Sequence, residues 1–125
     1  PDLSTEQLDD IIDYCLRSGI DGIVAGNTTR SREGLTIDPA TIEEIGNGGM
    51  SGAPVHKKNL ELVRYIHTKS EGRLPIIGVG GIMSGEEAKA MMDAGASLVE
   101  IYSGFIYEGP GLVKKILTHL ENCNK

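Results

Sequence analysis

Apolar residues along this chain follow two alternating rhythms. Leu8, Ile11, Ile12, Cys15 and Leu16 recur three and four residues apart, the spacing of one buried helix face. Ser4 stands before that stripe with Gln7 three residues on. Such a pair satisfies two free N–H groups of a helix start reciprocally. Gly19 follows, where a left-handed residue ends the helix. The rhythm then changes to a short apolar run, "DGIVAGNTT" (21–29), which reads as a strand running into polar residues. Leu60, Val63 and Ile66 restore the helical period, which stops before Gly72. A second strand spans 75–79, and Ser84 with Glu87 predicts a new helix start. That helix stops at Gly95, and "ASLVEIYSG" (96–104) is a third strand. "GFIYEG" predicts one short helical turn, and Pro110 suits the first position of a last helix. Leu112, Val113, Ile116, Leu117 and Leu120 form the buried stripe of that helix.

Helices and strands thus alternate through the chain, which predicts parallel strands joined by crossover helices. Two architectures carry that pattern: a doubly wound sheet and a (β/α)₈ barrel. A whole barrel needs roughly 200 residues or more, and this chain has 125. With three clear strands, a barrel reading makes residues 1–125 one α/β domain fragment, the C-terminal part of a barrel with about three βα units. Residues 28–56 hold seven glycines and prolines but no clear period, and are expected to form a long irregular loop.

Charge and composition narrow the function classes. The 12 basic and 18 acidic residues give a formal net charge of -6, which argues against a nucleic-acid surface. No apolar run reaches the ~20 residues of a membrane span. Cys15 and Cys123 lie far apart and read as reduced thiols. His56, His67 and His119 are scattered, so no metal site is expected. No Cys–His arrangement is expected either. The chain opens at Pro1 rather than at a methionine, and it is expected to be a piece of a longer protein.

The candidate chemistry sits at the strand ends. The second strand finishes in Gly80 and Gly81. Glycines there let the chain turn sharply and offer bare N–H groups to an anion. The helix start at Ser84 is expected to add positive dipole. A tight turn before a helix is the plain structural reading of the same residues. "GVGGIM" lacks the third glycine of a dinucleotide fingerprint. The third strand ends in Tyr102, Ser103 and Gly104 before the short turn. In barrels, the loops after the last two strands and a short extra helix form a phosphate site. A rim aromatic with a helix-capping serine is the structural alternative. Asn27, Thr28 and Thr29 offer an amide and two hydroxyls to a flat polar ligand, or form an Asx turn. "GGMSG" (48–52) is a flexible loop that can approach a ligand, and Arg30 and Arg32 read as solvated loop charges. By themselves these residues predict a parallel α/β protein that binds a phosphate-bearing ligand. A non-flavin barrel enzyme acting on sugar phosphates and a non-catalytic assembly module remain open.

Taken together, "PDL", "DGIVAGNTT", "GGMSG", "GRLPIIGVGGIMSG" and "AGASLVEIYSGFIYEGP", in this order and spacing, resemble the dihydroorotate dehydrogenase family. The resemblance is to the quinone-linked class 2 enzymes; class 1 relatives are similar around the glycine loops. It implies a (β/α)₈ barrel with FMN at the strand C-termini, as a flavin-dependent oxidoreductase acting on CH–CH bonds. Gly52, Gly81, Tyr102 and Ser103 would lie against FMN, mainly at its phosphate, with Ser51 and Gly80 adjacent. Asn27 and Thr28 would contact dihydroorotate or orotate. Hydride would pass from substrate to flavin and electrons onward to a quinone, within de novo pyrimidine biosynthesis. The resemblance also implies peripheral attachment to the cytoplasmic side of a membrane, with the fragment itself soluble. Two departures stand out. Gly26 replaces the family's usual threonine, losing a flavin-contacting hydroxyl. The family's serine base and a lysine belong to sequence ahead of Pro1, so no residue here is assigned a catalytic role and the chain alone is expected to be inactive. A partial barrel also leaves sheet edges open, and self-association through them is expected.

Overall fold

The computed structural model describes residues 1–123. Helix α1 spans Thr5–Ser18, followed by strand β1 (Ile23–Ala25), α2 (Pro39–Ile45), α3 (His56–Lys69), β2 (Ile76–Val79), α4 (Gly85–Asp93), β3 (Leu98–Glu100), α5 (Ser103–Glu108) and α6 (Gly111–Cys123). The capping pair predicted for α1 is present. The Gln7 N–H donates to Ser4 Oγ at 3.3 Å, and the Ser4 N–H donates to Gln7 Oε1 at 2.9 Å. Only half of the second pair forms. The Glu87 N–H donates to Ser84 Oγ at 3.4 Å, but the Glu87 carboxylate accepts from the Met83 N–H instead.

The three strands are all parallel and lie in the order β1-β2-β3. Neighbours in sequence are therefore neighbours in the sheet. A doubly wound sheet reverses its strand order only at its ligand crevice, so three strands in sequential order fit a barrel sector and one half of such a sheet alike. Ile23 pairs with Ile76 and Ala25 with Gly78, while Ile77 pairs with Leu98 and Val79 with Glu100. One face of the sheet buries Ala25 and Ile76 under the helices, in a single core with Val63, Ile66, Met91, Leu112 and Ile116. The tighter α4 side is possible because Gly78 has no side chain; a Cβ there would overlap Met91. The opposite face leaves Val24 55% and Leu98 62% exposed.

The expected irregular loop is more ordered than its sequence reads. It contains α2, begun by Pro39 at its first position, and a short 3₁₀ turn over Ala53–Val55 leads into α3. Thr29 and Met50 form an antiparallel bridge, each N–H donating to the other's carbonyl at 3.0 and 2.8 Å. The Arg32 guanidinium is not a solvated charge. It donates to the carbonyls of Thr29, Gly46 and Gly48 and closes the loop on itself. These bonds couple residues up to 16 apart, which local spacing does not reveal. Strand β3 is shorter than the expected nine residues, and Pro110 sits just ahead of α6 rather than inside it. No helix among the described residues is long and apolar enough to cross a membrane.

Candidate functional site

The three strands deliver their C-terminal ends to one cavity of about 330 Å³. From the end of β1 come Gly26, Asn27 and Thr28. From the end of β2 come Gly80 and Gly81, and from beyond β3 come Tyr102, Ser103 and Gly104. The loop before α3 adds Ser51, Gly52 and Val55. Asn27, Thr28, Ser51, Gly52, Gly80, Gly81, Tyr102 and Ser103 thus all line the same space, whereas Thr29, the third polar candidate after β1, is buried away from it and donates its hydroxyl to Asp2. Ser103 Oγ donates to Ser51 Oγ at 3.1 Å, so the "GGMSG" loop and the start of α5 touch across it.

Two glycines set the shape of the wall. Gly81 has φ +75, and a Cβ would stand 2.6 Å from the His56 backbone at the start of α3. Only a residue without a side chain lets the turn after β2 lie against that helix. Its N–H and that of Gly52 have no partner among the described residues. Gly26 has φ +131, and a Cβ would run into the Val79 carbonyl. The missing threonine hydroxyl noted in the sequence is therefore tied to a backbone turn that a side chain would not fit.

The charges differ from expectation in one respect. Ser84, Gly85 and Glu86 at the start of α4 line a separate pocket, so that helix does not point its dipole into the cavity. Its first turn carries Glu86 and Glu87. Hydrogen bonding from the Glu86 main chain and Ser84, with His119 beside it, holds the Glu86 carboxyl below the ordinary value. Helix α3 begins beside the cavity without a side-chain cap and with no acidic residue in its first turn. Among the described residues, Glu100 is the one formally charged residue lining the cavity.

Two further features were not expected from the sequence. Asn59, wholly buried in α3, donates from Nδ2 to the Asn27 carbonyl at 3.0 Å and accepts the Asn27 N–H at Oδ1 at 3.2 Å. A polar residue in the stripe shared by Val55, Val63 and Ile66 was the signal available. Cys123 Sγ lies 3.6 Å from His119 Nε2 on the outer surface, contrary to the expected absence of a Cys–His pair. No metal-binding cluster exists among the described residues. A larger apolar groove of about 520 Å³ lies under α2 and shares Ser51 with the cavity. Its lining is mostly aliphatic and lacks the converging polar groups.

The sequence profile of the family described as Dihydroorotate dehydrogenase matches residues 1–123. The chain belongs to the dihydroorotate dehydrogenase family. It is 44% identical over 120 residues to a dihydroorotate dehydrogenase (quinone) of Kineococcus radiotolerans, covering 96% of this chain and 33% of that relative. Its identity with the enzyme of the same name from Christiangramia forsetii is 49% over 116 residues, covering 93% and 33%. The crystal structure of ligand-free DHODH from Eimeria tenella superposes with a TM-score of 0.88 at 34% identity, over 98% of this chain and 33% of that one. The chain spans about a third of the length of the curated relatives it matches. Its fold is a C-terminal sector of the barrel of dihydroorotate dehydrogenases, of the quinone-linked kind.

Proposed function

We propose that this chain carries the cofactor-phosphate and substrate walls of an FMN-dependent dihydroorotate dehydrogenase that uses a quinone as electron acceptor. The convergence of Asn27, Gly81 and Ser103 from three strand ends on one cavity carries the reading. The donor set suits a phosphate. Gly52 and Gly81 have free N–H groups, Ser51 and Ser103 bring hydroxyls, and the Tyr102 phenol stands on the rim. The volume of about 330 Å³ is at the small end for ligand pockets. It suits the phosphate and sugar-alcohol end of FMN, with the flavin ring extending past these residues.

When bound, FMN supplies the two-electron chemistry that accepts hydride from the substrate. The protein groups bind and orient. Gly52, Gly81 and Ser103 hold the phosphate, with Ser51 and Gly80 shaping the adjoining wall. The Asn27 carboxamide oxygen already accepts the Thr28 N–H at 2.8 Å, which leaves its NH₂ and the Thr28 hydroxyl to meet the polar edge of dihydroorotate. Peripheral attachment to a membrane follows from the quinone as acceptor. The open edges at β1 and β3 fit a further polypeptide, and the chain alone is expected to self-associate there.

Titration of the purified chain with FMN tests the reading. Quenching of flavin fluorescence that inorganic phosphate reverses is the expected result. A chain that binds a simple sugar phosphate but not FMN would favour a non-flavin barrel enzyme.

A further inference from the structure

We infer that Asn59 is a positioning residue for substrate: it fixes the main chain of Asn27 from inside the fold. The inference rests on the reading of Asn27 and Thr28 as the substrate loop. Asn59 is fully buried on the face of α3 that otherwise presents Val63 and Ile66, in line with Val55 of the preceding turn. A carboxamide taken out of water is costly unless both of its ends are paired. Both ends of Asn59 go to the same residue, at 3.0 Å to the Asn27 carbonyl and 3.2 Å from the Asn27 N–H.

The N–H and the C=O of one residue belong to the two peptide planes on either side of its Cα. Holding both planes fixes φ and ψ together, and so sets the direction in which the side chain leaves. Asn27 needs such a restraint. The paired part of β1 ends at Ala25, and the next residue, Gly26, has φ +131, a conformation that glycine leaves readily. Past that hinge no strand neighbour holds the chain, and the Asn59 side chain supplies the two hydrogen bonds a neighbour would have given. Asn59 is itself confined. A Cβ on Gly80 would overlap its Nδ2, so the amide is packed against the end of β2. One side chain therefore sets the substrate loop against the loop that holds the cofactor phosphate.

The test uses the whole chain with FMN and orotate as probes, and two variants of similar size. Asn59→Leu removes both hydrogen bonds; Asn59→Asp keeps the acceptor and loses the donor. Amide hydrogen exchange at Asn27 is expected to quicken about tenfold or more in Asn59→Leu, the scale of one or two hydrogen bonds. Exchange at Val63 and Ile66 is expected to stay unchanged. Orotate binding, followed by the Thr28 amide shift at saturating FMN, is expected to weaken by a similar factor in both variants. FMN affinity is expected to hold within about threefold. Unchanged exchange at Asn27 would overturn the inference. A parallel loss of FMN affinity, orotate affinity and core protection would also overturn it, since a merely structural residue gives that result. If Asn59→Leu does not fold, Asn59→Asp decides on the same readings. An unmutated chain that takes up FMN but no orotate would overturn the substrate reading of Asn27 and Thr28 and this inference with it, and is told apart because no variant is involved.

Discussion

The two faces of the sheet are made of similar residues and meet opposite surroundings. Alternate positions of "IIGV" in β2 send Ile76 and Gly78 under the helices and leave Ile77 and Val79 on the other side, only half-buried. On that second face Val24, Ile77 and Leu98 form an apolar row across all three strands. The chain exposes 7984 Å², where a compact monomer of its 13.3 kDa mass exposes roughly 6,450 Å². Val24 and Leu98, exposed on the face that a barrel would turn inward, contribute to the surplus. A parallel strand's sequence thus records burial on both faces, whichever of them the chain at hand covers. The candidate cavity stands at the upper rim of the open face, where Val24, Val79 and Glu100 reach it.

The largest expected effect breaks the comparison directly. Ile76→Ala on the covered face should cost about 2–5 kcal/mol of stability, as buried aliphatic truncations do. Leu98→Ala on the open face should cost within about 0.5 kcal/mol. Urea unfolding of both variants at low protein concentration measures the difference. Equal losses would mean that the open face is covered in solution.

Next in size is Gly81→Ala. The left-handed backbone and the close His56 main chain should cost roughly 1–3 kcal/mol, and FMN binding should be lost with it. Retained FMN affinity in a folded Gly81→Ala chain would remove this turn from the site. A smaller effect of the opposite sign is expected at Glu100, the carboxylate on the cavity wall. Glu100→Gln removes a like charge and should tighten FMN binding by about 0.5 kcal/mol, the Coulomb scale across several ångströms of water. An isothermal titration showing weaker binding would place the phosphate elsewhere.

Local signals in the sequence located most of the framework. Ser4, Gln7 and Gly19 set the bounds of α1 because capping chemistry acts within a few residues. The strand ends were legible because Asn27, Gly81 and Ser103 each break an apolar run with small or polar groups. Long-range bonds were not legible. Arg32 reaches carbonyls 14 and 16 residues away, and Asn59 pairs with a residue 32 positions earlier. The orientation of α4 misled for a similar reason. Ser84 does cap a helix, but only the packed structure shows that this helix starts beside another pocket.

The smallest expected effect concerns the loop that carries Thr29. Asp2 accepts from the Thr29 hydroxyl at 2.6 Å and the Arg30 N–H at 2.8 Å, with Lys58 Nζ 3.9 Å away. The Thr29 hydroxyl first, then the Arg30 N–H, hold its carboxyl below the ordinary value of 3.8. A lowered folded value means the contact stabilises fully above the ordinary carboxylate range and is lost as pH falls through the folded value. Amide protection at Thr29 and Met50 should therefore be constant from neutral pH down to about 5 and decline below about 4. In Asp2→Asn it should be lower throughout and lack that decline. An identical pH profile in the variant would assign the effect to another group.

The central claim is that three strand ends form one flavin-nucleotide site. Amide spectra of the uniformly ¹⁵N-labelled chain during an FMN titration test it most directly. The account predicts that Gly52, Gly81 and Ser103 shift together along one binding curve, with Asn27 and Thr28 responding further when orotate is added. Shifts confined to one of these loops, or spread over the apolar groove beneath α2, would contradict it.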